Sequence, residues 1–125
     1  MKCLNCNKEI DKRKKYCNHT CQMEYQYKQY IERWLLGLET GIRGKSQMFL
    51  HVRRYLFEIN ESSCQICGWN KINPTTNKTP LEIHHIDGDY KNNAFENLQL
   101  LCPNCHSLTS TYKALNYGSG RQDNR

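Results

Sequence analysis

Eight cysteines fall into four close pairs, Cys3/Cys6, Cys17/Cys21, Cys64/Cys67 and Cys102/Cys105, and any fold for this chain has to use them. Pairs with two or three intervening residues have the spacing of tetrahedral zinc knuckles, and two knuckles complete one four-thiolate site. Hydrophobic residues make up only 38% of the 125 residues, so burial alone gives a small core and something else must hold the fold. The competing use of the cysteines is a disulfide framework. Met1-Lys2-Cys3 is followed by polar residues rather than a signal peptide, and no apolar run approaches membrane-spanning length. Two structural zinc ions in a reducing cytoplasm are therefore expected. Cys3, Cys6, Cys17 and Cys21 would hold one, and Cys64, Cys67, Cys102 and Cys105 the other. His19 lies between Cys17 and Cys21, but four thiolates already satisfy a tetrahedral ion.

The densest chemistry lies inside the second set, in Leu81 to His106, LEIHHIDGDYKNNAFENLQLLCPNCH. Leu81, Ile83 and Ile86, bounded by Pro80 and Gly88, predict a short strand around the pair His84-His85. Asp87, Gly88, Asp89, Asn92 and Asn93 are turn formers, because they tolerate positive φ or bond their own backbone. Leu98, Leu100 and Leu101 predict a second strand, and Pro103 suits the first turn of a helix. Imidazoles thus stand at the end of one strand and the start of a helix. Neutral imidazole is a common metal ligand, and two of them leave positions open for water and substrate oxygens. Neighbours on a strand leave opposite faces, so His84 and His85 are not expected to bind one ion equally.

This stretch resembles the HNH endonuclease family, over roughly residues 60–115. The resemblance rests on the pair His84-His85, Asn97, His106 and the flanking cysteine pairs. It implies a ββα-metal (His-Me finger) fold and metal-dependent hydrolysis of DNA phosphodiester bonds. It further implies that His84 and His106 bind a catalytic divalent metal, that His85 is the general base, and that Asn97 bonds across the loop to hold that base in place. Many relatives carry Asp where this chain has His84. Two imidazoles make a softer site, open to Mn, Ni, Co or Zn as well as Mg. Asp87 and Asp89 are near enough in sequence to assist, but a turn role is expected for both.

The chain carries a formal charge of +6, all of it from the N-terminal half: residues 1–60 hold twelve Lys/Arg against six Asp/Glu. Lys12, Arg13, Lys14 and Lys15 form a run between the first two knuckles, suited to a polyanion. Met23, Tyr27, Tyr30, Ile31, Trp34, Leu35 and Leu38 then recur at helical intervals, as packing rather than a base-stacking surface. Gly37, Gly41 and Gly44 mark Leu36 to Lys45 as a linker or loop. Ser46 is a plausible N-cap for a helix with an apolar face of Phe49, Val52, Leu56 and Ile59, leaving Arg53 and Arg54 as further candidate phosphate contacts.

The expectation is a small, zinc-stabilised α+β protein. Residues 1–36 form a treble-clef or ribbon-like zinc finger with its helix, and 37–60 a linker and helix. Residues 61–116 form the nuclease domain and 117–125 a flexible tail. One site per copy predicts nicking by a monomer, on DNA, with no membrane partner. A dimer or a phage assembly is a further candidate partner, and a phage-encoded chain would act in the bacterial cytoplasm. Two readings compete: a non-catalytic zinc-dependent nucleic-acid-binding protein, and an accessory nuclease of a phage packaging assembly.

Overall fold

A computed structural model describes residues 1–45 and 47–110. The chain divides into two compact units, Met1–Glu39 and Thr40–Arg125. Ser46 and the expected tail lie outside the described residues.

The first unit begins with a tight loop closed by the antiparallel bridge between Lys2 and Glu9. Within it the Cys3 amide donates to the Lys8 carbonyl at 2.8 Å, and Asn7 takes a left-handed φ of 65°. Helix α1 (His19–Leu35) follows, with Asn18 as its N-cap; the Asn18 side-chain oxygen accepts from the Cys21 amide at 2.8 Å. Tyr27, Tyr30, Ile31 and Trp34 form its buried face. Met23, Leu35 and Leu38, expected in the same stripe, are 44%, 44% and 71% exposed. Leu38 lies beyond the helix, which ends in paired bonds: the Gly37 amide donates to the Trp34 carbonyl and the Leu38 amide to that of Arg33. That pairing needs a left-handed residue, and Gly37 supplies it at φ 81°.

The second unit opens with a hairpin where the glycine-punctuated stretch predicts a linker or loop. Strand β1 (Ile42–Arg43) pairs antiparallel with β2 (Gln47–Met48), in the register Ile42 to Met48 and Arg43 to Gln47. Helix α2 (Leu50–Ile59) starts from Phe49, which makes no side-chain capping bond, and it buries Val52 and Leu56. Ile59 is 46% exposed, so the inward stripe is narrower than its apolar pattern implies. After α2 the backbone turns through Glu61 and Ser62, both at positive φ, and delivers Cys64 to the core.

Strands β3 (Glu82–His85) and β4 (Leu98–Leu101) form a second antiparallel pair, with His84 opposite Gln99 and His85 opposite Leu98. A 3-10 turn at Phe95–Asn97 leads directly into β4. Helix α3 (Pro103–Ser107) begins with Pro103 in its first turn, and its N-cap Cys102 accepts from the Cys105 amide through sulfur. The core of this unit is Cys64, Leu81, Leu100, Leu101 and Cys102, with Phe57, Trp69, Ile83 and Cys105 packed against it. Three of those residues are cysteines of the second tetrad. The thiol cluster and the apolar core are therefore one structure, which fixes the hairpin and α3 against each other.

Candidate active site

His84 and His85 are the last two residues of β3, and they part as strand alternation requires. His84 is 6% exposed and faces α3, where its ring meets that of His106 edge-on at a centroid distance of 5.2 Å. Glu82, two residues earlier on the same strand, places Oε1 at 3.2 Å from His106 Nδ1. Burial pushes the His84 pKa below the ordinary histidine value, and the neighbouring rings of His106 and His85 add to the shift. His84 is thus held as neutral imidazole, with a lone pair to offer a cation. Two imidazoles and a carboxylate meet on this face of the hairpin, and both are donor types that divalent metals accept.

His85 is turned to the loop between the strands. Its Nε2 lies 2.6 Å from Oδ1 of Asn93, a residue only 2% exposed. Asn93 in turn donates from Nδ2 to the Gly41 carbonyl at 3.2 Å. Asn97, also buried, ties the loop shut: its Oδ1 accepts from the Asp87 amide at 3.0 Å, and its Nδ2 donates to Asp87 Oδ1 at 3.0 Å and to the Asn92 carbonyl at 2.8 Å. Asp87 also accepts from Asn92 Nδ2 at 2.8 Å, which with the bonds from Asp89 and Asn97 holds its carboxyl below the usual carboxylate range. Asp89 accepts from the Lys91 amide at 3.0 Å, so both aspartates build the turn. The sequence marks Asn93 only as a turn former; that it meets the His85 ring depends on a loop path no local pattern encodes. Glu82 carried a usable signal, since period-two alternation puts it on the face of His84.

The same segment is the one that known proteins share. Residues 64–111 match the HNH endonuclease family. The chain carries an HNH endonuclease domain. It is 46% identical over 55 residues to the H-N-H endonuclease F-TflIV of Escherichia phage T5, a match covering 44% of this chain and 23% of that protein. No solved structure matches. Among the described residues no helix is long and apolar enough to cross a membrane.

Both cysteine tetrads assemble as their spacing predicts, one in the first unit and one built into the HNH domain. In each, the four sulfur atoms lie within 4.8 Å of one another, and all eight thiols are free of disulfides. Their acidities show what the clusters need. Burial raises the Cys64 thiol, but the backbone amides of Cys67, Cys102 and Ile66 outweigh it and bring the pKa to about 6. Cys105 moves the other way, to about 12, through burial and then its contacts with Cys67, Cys102 and Cys64. In the first unit Cys3 behaves like Cys64, at about 6, while hydrogen bonding to Cys21 leads the causes that push Cys17 to about 12. One thiolate forms easily and then opposes the next. Four together require a cation, and tetrahedral thiolate coordination is the chemistry of structural zinc.

The basic residues divide between the units. Lys12, Arg13, Lys14 and Lys15 are all exposed in the first, although Arg13 is bound to Asp11 at 3.1 Å. Arg53 and Arg54 lie on α2, Arg53 over the Phe57 ring at 4.9 Å and Arg54 paired with Glu58 at 2.9 Å. With Leu50, Ile72 and Lys78 they line a pocket of about 460 Å³.

Proposed function

We propose that this chain is a metal-dependent HNH endonuclease that hydrolyses DNA phosphodiester bonds and nicks as a monomer. The observation that carries the reading is the division of the histidine pair. His84 is turned to His106 at 5.2 Å and His85 away from both, to the loop, inside the segment shared with HNH endonucleases. In this reading β3, β4 and α3 are the ββα-metal centre, and His84 and His106 hold the catalytic ion. His85 takes the proton from the attacking water, since a neutral imidazole is a base near neutral pH. Asn97 keeps the loop closed, so that His85 does not drift from its place at the end of β3. A bound divalent cation would stabilise charge on the phosphoryl oxygens and on the departing 3′ oxygen. The nitrogen-rich donor set favours Mn, Ni, Co or Zn over a strict Mg requirement. The two tetrads take structural zinc, and the first unit acts as a treble-clef-like finger that brings its basic run to DNA. The likeness to a phage protein supports action in an infected bacterial cell.

Supercoiled plasmid incubated with the protein across Mg, Mn, Ni and Zn tests this. Open circles should accumulate before linear product, and a chelator should prevent them. His85→Ala should bind DNA as wild type does and cut about two to four orders of magnitude more slowly. Binding without cutting under every metal would instead support a non-catalytic nucleic-acid-binding protein.

A further inference from the structure

The family match begins at residue 64, yet one contact to its histidine pair is braced from well upstream. Gly41 lies at the start of the β1–β2 hairpin, is buried, and has a left-handed φ of 74°. Its carbonyl accepts twice, from the Phe49 amide at 2.8 Å and from Asn93 Nδ2 at 3.2 Å. A carbonyl oxygen can only accept, so the nitrogen of the Asn93 amide must face Gly41 and its oxygen must face away from it. That oxygen is the atom 2.6 Å from His85 Nε2. It too can only accept, so Nε2 carries the imidazole proton and Nδ1 carries the lone pair. Reversing the amide would set oxygen against the Gly41 carbonyl and leave two buried acceptors facing each other.

Resting on the reading of His85 as general base, we infer that Asn93 is the positioning residue that fixes the His85 tautomer, and that the upstream hairpin sets the orientation of Asn93. The base acts through Nδ1. The order is Gly41 carbonyl, Asn93 amide, His85 ring, and each link is a hydrogen bond whose direction the previous one determines. The positioning of the base therefore extends beyond the segment shared with HNH endonucleases to the Gly41 carbonyl and the Phe49 amide that also bonds it. A loop asparagine with a purely structural role would support the turn without selecting which imidazole nitrogen is protonated.

The test uses the zinc-loaded 125-residue protein and reads the side-chain ¹⁵N resonances of His85 at about pH 8. The wild type should show the Nε2–H tautomer. Asn93→Ala should lose that preference and lower kcat for plasmid nicking about ten- to hundredfold, the size of effect typical when a partner of an active-site histidine is removed. KM, zinc content and manganese affinity should stay as in wild type. Asn93→Asp keeps an acceptor for Nε2–H but cannot donate to Gly41, so it should restore the tautomer and recover part of kcat. If Asn93→Ala does not fold, Asn93→Asp against Asn93→Leu gives the same comparison. An unchanged tautomer and kcat in Asn93→Ala, with His85→Ala inactive, would overturn the positioning role and leave the general base intact. Full activity in His85→Ala would overturn the general-base reading itself.

Discussion

Asn97 shows how much one buried amide can hold. Its side chain makes three hydrogen bonds across the loop between β3 and β4, from a position 8% exposed. Asn97→Ala leaves the Asp87 amide and the Asn92 carbonyl without that partner, at a cost of about 1–3 kcal/mol. Urea unfolding of the zinc-loaded protein should show that loss, and a change below about 0.5 kcal/mol would mean other groups hold the loop. The histidines separate by a different measurement. His84→Ala and His106→Ala should each weaken manganese binding by calorimetry and abolish nicking, because each removes a nitrogen from the facing pair. His85→Ala should slow nicking by about two to four orders of magnitude and leave the binding isotherm unchanged; equal loss of metal in all three would reject the division of roles. Residue identity and order made the histidines legible in the sequence, because imidazoles, asparagine and cysteine pairs in that order carry a chemistry. Asn93 was not legible. Asn92 and Asn93 look alike as turn formers, and only the folded path shows which one reaches the His85 ring.

Among the elements, those announced by covalent character were the easiest to foresee. Pro103 marks the start of α3, and the cysteine pairs mark the ends of the unit that β3 and β4 occupy. The β1–β2 hairpin left no such trace, because two-residue strands show no alternation and its glycines look like linker. Its contribution comes from tertiary contact, through the carbonyl of Gly41. The second tetrad, by contrast, is both signal and scaffold, since Cys64 and Cys102 are buried beside Leu81, Leu100 and Leu101. Structural zinc contributes about 10–16 kcal/mol in small domains, more than the whole stability of most of them. Cys64→Ser should therefore unfold the HNH domain rather than soften it, with loss of one of two zinc ions by elemental analysis. Leu100→Ala, which keeps the metal site, should cost only about 2–5 kcal/mol and leave two zinc ions bound. A folded Cys64→Ser protein with dispersed amide resonances would show that the apolar core holds without zinc.

For the whole molecule, the basic run and the histidines of the candidate site fall in different units. His84, His85 and His106 lie in the second unit, while Lys12, Lys14 and Lys15 are exposed in the first and Arg13 is partly engaged by Asp11. Charge of this kind reaches a polyanion through counterion release, which makes affinity fall with salt in proportion to the phosphates neutralised. The triple substitution Lys12→Ala, Lys14→Ala, Lys15→Ala removes three cations and touches neither tetrad. Binding to a duplex, measured from about 50 to 200 mM salt, should then lose slope by about 0.9 per lysine that contacts phosphate, up to about 2.7 in all. Intrinsic cleavage should survive, so kcat at saturating DNA should match wild type while KM rises. Arg53→Ala with Arg54→Ala provides the contrast, since these side chains lie on α2 within the unit that holds the histidines and line the pocket beside Lys78. Arginines that place the scissile phosphate lower kcat when removed, whereas a contact that only tethers the DNA lowers affinity alone. A salt slope unchanged by the lysine substitutions would mean the first unit engages something other than nucleic acid.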